Sequence, residues 1–509
     1  MKLVLVRGEK MKRFTGILLV LLVFMAFQSV YAAGPSKVEK VFDQIKTNTY
    51  DPNARIRFLP ENIDSWFARW HVLENAKKSI DVTYFIVEQD IFGMSMLGML
   101  MKKARAGVNI RLMVDARGTK GLTRKFIGQD VLQEMVKFKN VQIRVFNPVH
   151  RKLWALFDDL RKITASNHDK IILVDDEFLI TGGRNVSMNY FVSPKDVKTV
   201  YRDTDVVIQS KKVAKQAKLA FDEEFSSGGT FKIYKDIFGN ADMMSKDLDM
   251  AYNVMRRFIT GNGVYKLPSP KLSKEANKLL TKYTDEIKQY KSMQHFASFR
   301  LFEGQRQYPT RILDKHSIIG PRNDITNNLI KMIDACESEV IIQNPYVVLT
   351  EEAYAALQRA NDRGVKIIIH TNSPMSSDSL LTQAMFLHDW RKILKDMPNL
   401  RIFGYKLATK LHSKVFVFDK KIAVIGTYNM DYVSEQINSE VVAVIKSSPF
   451  ATRVAMRIYE DMKFSHEYKI KVERDGRITT VFGPESHSDK KVIDRLNMLK
   501  KLQWLRPLI

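Results

Sequence analysis

His412-Ser-Lys414-Val-Phe-Val-Phe-Asp419, then Lys-Lys-Ile-Ala-Val-Ile, then Gly426-Thr427-Tyr-Asn429, is the stretch on which the fold turns. Two short apolar runs flank a polar Asp-Lys-Lys turn and close on a glycine, which is the pattern of a β-hairpin. Side chains alternate along a strand, so His412 and Lys414 share one face. The return strand brings the segment around Gly426 back beside them. An imidazole, an ammonium and a carboxamide thereby converge on one small volume. The same pattern stands earlier in the chain, as His168-Asp-Lys170-Ile-Ile-Leu-Val-Asp175, then Gly182-Gly183-Arg184-Asn185 at the same offset. One copy is compatible with an ordinary hairpin. Two copies at identical internal spacing point to a duplication.

The flanking sequence repeats as well. A helical pattern over 66–77 leads to a strand over 79–86, then a helix over 94–106, Gly107, and a strand over 108–114. In the second copy a helix over 325–336 leads to a strand over 339–343, a helix over 352–363, Gly364, and a strand over 365–370. Strands alternating with helices that end at glycines predict mixed, largely parallel sheets with helices packed on their faces. The expectation is an α/β protein of two fused halves from an internal duplication.

The paired His-x-Lys-x4-Asp motif, with its Gly-Gly/Thr-x-Asn ending, resembles the signature of the phospholipase D superfamily, whose members carry two such motifs per active site. The Gly-Gly-Arg-Asn ending and the later Asn438-Ser439-Glu440 run resemble bacterial cardiolipin synthases and their phospholipase D-like relatives. The resemblance runs roughly from Arg55 to Phe464. It implies a catalytic set of His168, Lys170, Asp175, His412, Lys414 and Asp419, with Asn185 and Asn429 binding the substrate phosphate. One histidine, neutral, attacks phosphorus to give a phosphohistidine; the other protonates the leaving oxygen. The resemblance leans to His168 as the nucleophile. Asp175 and Asp419 are more structural than catalytic in the family, and aspartate is an ordinary turn residue. Each imidazole needs a partner to fix its tautomer. Aligning the strands after the motifs sets Asp203 beside Glu440, the family's histidine-orienting carboxylates, with Asp205 a weaker candidate. A serine often stands where this chain has Gly183. No cofactor is implied. A metal at the motifs is disfavoured, because the lysine after each histidine would repel it.

The segments read as 1–32, a secretory signal; 33–54, an N-terminal extension; 55–229, the first phospholipase D-like domain; 230–305, a helical linker subdomain; 306–470, the second domain; and 471–509, a tail with a basic amphipathic helix. Lys12 and Arg13 before the apolar run 16–27, then small residues ahead of Ala33, give the signal its order. The apolar run is shorter than the roughly 20 residues a membrane span needs. An extracytoplasmic, peripherally attached protein is expected, with an uncleaved anchor as the alternative. The first half also carries an aromatic and basic insertion, Pro148 to Lys162, containing Arg151, Lys152, Trp154, Leu156 and Phe157.

A formal charge of +25 on 509 residues favours an anionic partner. A single cysteine, Cys336, excludes an internal disulfide framework, and its apolar surroundings point to a buried thiol. The favoured function is phosphatidyl transfer or phospholipase action at a phospholipid membrane surface, with a phospholipid or alcohol acceptor and one chain sufficient for the site. A nuclease tracking nucleic-acid phosphates is the alternative. A non-catalytic lipid-binding protein is disfavoured by two intact motifs.

Overall fold

The computed structural model describes residues 34–46, 50–119, 122, 131–147, 161–235, 242–267, 274–304, 306–317 and 322–509. The expected signal segment and nearly all of the insertion from Pro148, including Arg151, Lys152, Trp154, Leu156 and Phe157, lie outside the described residues.

Each half builds the same sheet. In the first, Ser79–Tyr84, Asn109–Asp115 and Val141–Phe146 pair in parallel through crossover helices. The hairpin Ile171–Val174 and Phe178–Gly182 then adds antiparallel against Ser79–Tyr84 and is followed by Asp205–Gln209. In the second, Glu339–Gln343, Lys366–Asn372 and Leu400–Tyr405 are parallel. The hairpin Val415–Phe418 and Ile422–Gly426 and the strand Glu440–Lys446 complete that half in the same order. Mixed sheets follow from connection length: three-residue turns permit antiparallel neighbours, whereas parallel ones require the helical crossovers. The opening strands of the halves, Asp51–Leu59 and Gln307–Lys315, pair antiparallel with one another and join everything into one 17-stranded sheet.

Both hairpins turn on two successive residues at positive φ, Asp175 and Asp176 at 54° and 56°, and Asp419 and Lys420 at 50° each. These are the central residues of a tight turn within each three-residue loop, and aspartate, at three of the four positions, tolerates positive φ.

Three apolar layers hold the halves. One lies in the first half around Trp66, Trp70, Phe92 and Leu112, a second in the second half around Trp390, Ile342 and Phe416. Between them, Ile171, Ile208, Ile341 and Val417 from both halves pack with Val213 and Ala217 of the helix Lys211–Phe225 and Phe450 and Val454 of the helix Ser448–Met462. The segment expected as a linker subdomain is part of the first layer. Its helices Asp242–Ile259 and Lys274–Ile287 bury Leu248, Met255, Tyr283 and Ile287 there, and Tyr252 stacks on Trp70. The C-terminal helix Lys490–Leu499 spends its apolar stripe on docking. Leu496 is buried and Val492, Ile493 and Leu499 pack on the second layer, while Trp504 stays 73% exposed. Cys336 is buried. Among the described residues no helix is long and apolar enough to cross a membrane.

Candidate active site

The two motifs meet through short parallel pairings that cross between the halves. Lys410–Leu411 pairs with Tyr201–Arg202, so the next residue of each segment, His412 and Asp203, stand side by side. His412 N–H donates to Arg202 O at 2.8 Å, and Nδ1 of the ring lies 2.7 Å from Asp203 Oδ2. The mirror arrangement holds on the other side. Asn167 bridges in parallel to Ser439, His168 N–H donates to Ser439 O at 3.2 Å, and Nδ1 of His168 sits 3.0 Å from both oxygens of Glu440. Each half therefore supplies the carboxylate for the other half's histidine. With Nδ1 donating to a carboxylate, the lone pair of each ring falls on Nε2, which on His412 lies 3.1 Å from Lys414 Nζ.

The surroundings of the two carboxylates differ. Glu440 accepts from the hydroxyls of Thr427 and Ser434, the latter at 2.6 Å, as well as from His168. Burial pushes Glu440 up, against Lys170, those two hydroxyls and Lys315. Among the described residues no hydroxyl donates to Asp203. At the position of Thr427 stands Gly183, and a Cβ there would come 2.1 Å from Asp203 Oδ1. The carboxylate occupies the space that a side chain would fill. Behind it, buried Arg184 donates to the carbonyls of Asp203, Leu59 and Pro60 and to Asn62. Burial alone would raise Asp203, but Lys414, His412 and Arg184 outweigh it and hold it below the usual carboxylate range.

The histidines respond in kind. His168 is pushed well below its ordinary value by burial and by the charges of Lys170, Lys414, His412 and Arg117. His412 is lowered by burial and Lys414, but the charge and hydrogen bond of Asp203 oppose the drop. Burial also lowers the lysines, Lys170 to about 7 and Lys414 to about 8, with the nearby carboxylates resisting. Lys170 Nζ donates to His168 O at 2.7 Å; Lys414 Nζ lies 2.6 Å from His412 O and 2.7 Å from its Nδ1. Asn185 accepts from Ile86 N–H and donates to the Tyr190 hydroxyl. Asn429 Oδ1 is buried without a hydrogen-bond partner among the described residues.

Asp175 and Asp419, counted above with the catalytic set, stand at the far ends of their hairpins. Seven positions of extended chain separate each from its histidine, about 20 Å. Asp175 accepts backbone N–H bonds from Lys77, Lys78 and Ser79, and Asp419 accepts them from Glu337, Ser338 and Glu339. They tie the turn to the strand beside it. Asp205 pairs with Arg69 at 2.9 Å and Arg184 at 3.1 Å, and holds the frame rather than a histidine. Sequence reasoning missed the hydroxyl of Ser434 and the rings on His412: Tyr190 and Tyr201, each 5.3 Å away, and Tyr346 at 6.4 Å. Tyr190 and Ser434 each stand five residues after a motif asparagine, an offset that could have flagged them.

Two histidine–lysine hairpins, each orienting the other's imidazole through a carboxylate, on a duplicated α/β sheet, define a phospholipase D-like phosphodiester-transfer protein. The chain belongs to the family described as cardiolipin synthase, PLD-like domain, whose model matches residues 70–225 and 329–462. It is 24% identical over 457 residues to cardiolipin synthase C of Escherichia coli (strain K12), covering 86% of this chain and 89% of that one. It is 25% identical over 401 residues to cardiolipin synthase 1 of Bacillus anthracis, covering 78% of this chain and 64% of that protein's length. The crystal structure of phosphatidylserine synthase from Haemophilus influenzae Rd KW20 shares the fold, with a TM-score of 0.61 at 10% identity, covering 93% of this chain and all of that one.

Proposed function

We propose that the chain is a phospholipid phosphatidyltransferase of cardiolipin-synthase type, working through a phosphatidyl-histidine. His168, neutral, attacks the phosphorus of a donor lipid through Nε2 while the head-group oxygen leaves. His412, as the imidazolium on the ionised Asp203, gives its Nε2 proton to that oxygen. The same imidazole, now neutral, then takes the proton of the entering hydroxyl as that oxygen attacks phosphorus and the bond to His168 breaks. Lys170 and Lys414 balance charge on the phosphoryl oxygens, with Asn185 and Asn429 donating amide hydrogens. An alcohol of a second lipid gives transfer; water gives phosphatidic acid. The observation that carries this reading is the crossed pairing of His168 with Glu440 and His412 with Asp203. It equips one chain with both an attacking and a protonating imidazole.

The relatives named as cardiolipin synthases support phospholipid as the substrate class. The positive net charge suits an anionic membrane surface, and the apolar N-terminal run suits work on its extracytoplasmic side. Purified protein would be given phosphatidylglycerol or phosphatidylethanolamine vesicles and, in parallel, single- and double-stranded DNA, all without added metal. Cardiolipin or phosphatidic acid formed by the parent and lost in His412→Ala is the expected result. DNA cleavage with untouched lipid would move the protein to the nuclease reading.

A further inference from the structure

The seam between the halves carries a second group of ligating side chains, apart from the histidine–lysine site. Glu223 lies near the end of the first half's helix Lys211–Phe225, and Asp314 near the end of the second half's strand Gln307–Lys315, with His316 just beyond. One oxygen of each carboxylate and Nε2 of His316 lie within 4.8 Å of one another. His316 Nε2 is 2.8 Å from Glu223 Oε2 and 3.6 Å from Asp314 Oδ2. Yet among the described residues Asp314 Oδ2 and His316 Nε2 are both buried atoms that complete no hydrogen bond, the close approach of His316 to Glu223 being an ion-pair contact off hydrogen-bond geometry. Asp314 is only 2% exposed. A carboxylate oxygen held that dry is costly unless something positive meets it.

Arg322 meets the other oxygens. Its guanidinium lies 2.9 Å from Glu223 Oε1 and 3.4 Å from Asp314 Oδ1. Each carboxylate is thus divided, one oxygen oriented by the arginine and the other turned towards the imidazole nitrogen. Outer partners of this kind fix metal-binding carboxylates in place. Asp324 adds a further negative charge nearby.

We propose that Glu223, Asp314 and His316 bind a divalent transition-metal cation of the Zn²⁺ or Mn²⁺ class, which staples the first half to the second. One imidazole and two carboxylates suit such borderline cations. With metal–donor distances of about 2.0–2.2 Å, tetrahedral donors lie about 3.3–3.6 Å apart. The contacts of 2.8 and 3.6 Å need only small side-chain adjustments to reach that. The staple would sit beside the reacting groups without touching them. Glu224, next to Glu223, accepts from Ser439 Oγ at 2.7 Å, and Ser439 O accepts from His168 N–H. Lys315, between Asp314 and His316, pairs in register with Glu440 and donates to Asn438 O at 2.5 Å.

The test uses the full chain, stripped with chelator and titrated calorimetrically with Zn²⁺ and, separately, Mn²⁺. Binding of one cation per chain and a rise in Tm are expected. Glu223→Gln and His316→Gln should each weaken binding by more than about tenfold and remove the rise. Glu223 is partly exposed, so its variant keeps the fold and the test stays readable. Co²⁺ in the same site should give visible absorption bands that change in His316→Gln. Failure to take up either cation stoichiometrically, or uptake and a Tm rise unaltered in both variants, would overturn the proposal. His316 would then be an ion-pair partner alone.

Discussion

The two halves share a frame, but they equip their carboxylates differently. On the Glu440 side, hydroxyls of Thr427 and Ser434 fill the space around a buried carboxylate. On the Asp203 side a bare glycine makes room, and Arg184 backs the strand from behind. Duplication alone would give two equal histidines. Burial and the neighbouring lysines lower both rings, but beside His412 the ionised Asp203 opposes the drop, whereas His168, among positive charges, is pushed well below its ordinary value. An attacking base and a proton donor need just that inequality.

The largest expected effect comes from breaking the orienting pairs one at a time. Asp203→Asn and Glu440→Gln should each cut kcat by about 10²–10⁴-fold. Their responses to leaving group should diverge. A donor with an acidic phenol as leaving group needs no proton from His412, so the first step, read as a burst of phenol, should recover much of the Asp203→Asn loss but little of the Glu440→Gln loss. Equal rescue of both would erase the distinction between the halves.

A smaller effect is the alkaline limb of the pH profile. Burial lowers Lys170 to about 7 and Lys414 to about 8, so rising pH removes positive charge from the phosphate site. kcat/KM should fall as pH rises through that range. Lys170→Arg, which keeps its charge, should move the limb upward. A profile flat to pH 9 would mean that the lysines stay charged.

The smallest effect sharpens the asymmetry itself. Thr427→Ala removes one hydrogen bond to buried Glu440 and should lower stability by about 1–3 kcal/mol, measured by denaturant titration. Gly183→Ser pushes a Cβ into Asp203 and should cost about 1–3 kcal/mol as well. It should also impair His412, seen as a loss that the activated donor partly restores. A silent Gly183→Ser would show that the two carboxylate pockets are interchangeable.

Much of this was legible in the chain. The hairpins and the duplicated order of strands and helices follow from alternation and equal offsets, whereas Asp203 and Glu440, at unequal distances from their motifs, are matched by aligning the strands that follow. Which histidine each carboxylate serves was not legible. That rests on the two-residue pairing of Lys410–Leu411 with Tyr201–Arg202 and on a single bridge at Asn167, contacts too short to leave any periodicity. The segment 230–305, rich in Lys and Met, reads as a linker because composition names no partner; its helix Asp242–Ile259 packs on the helix Ile91–Arg105, far earlier in sequence. The cluster of Glu223, Asp314 and His316 unites residues that only the seam brings together.

The central claim is that a crossed site gives the two histidines different tasks, with His168 the nucleophile. Acid-stable adducts would not report it, because phosphohistidine is acid-labile, so the reaction is quenched in base. Donor lipid labelled in its phosphate would be mixed with the parent protein and with His412→Ala, and the labelled peptide mapped by mass spectrometry. The account predicts label on His168 in the parent. In His412→Ala, given the phenol-leaving donor, label on His168 should persist, because the proton-accepting step that discharges it is impaired. Label on His412, or turnover with label on neither histidine, would contradict it.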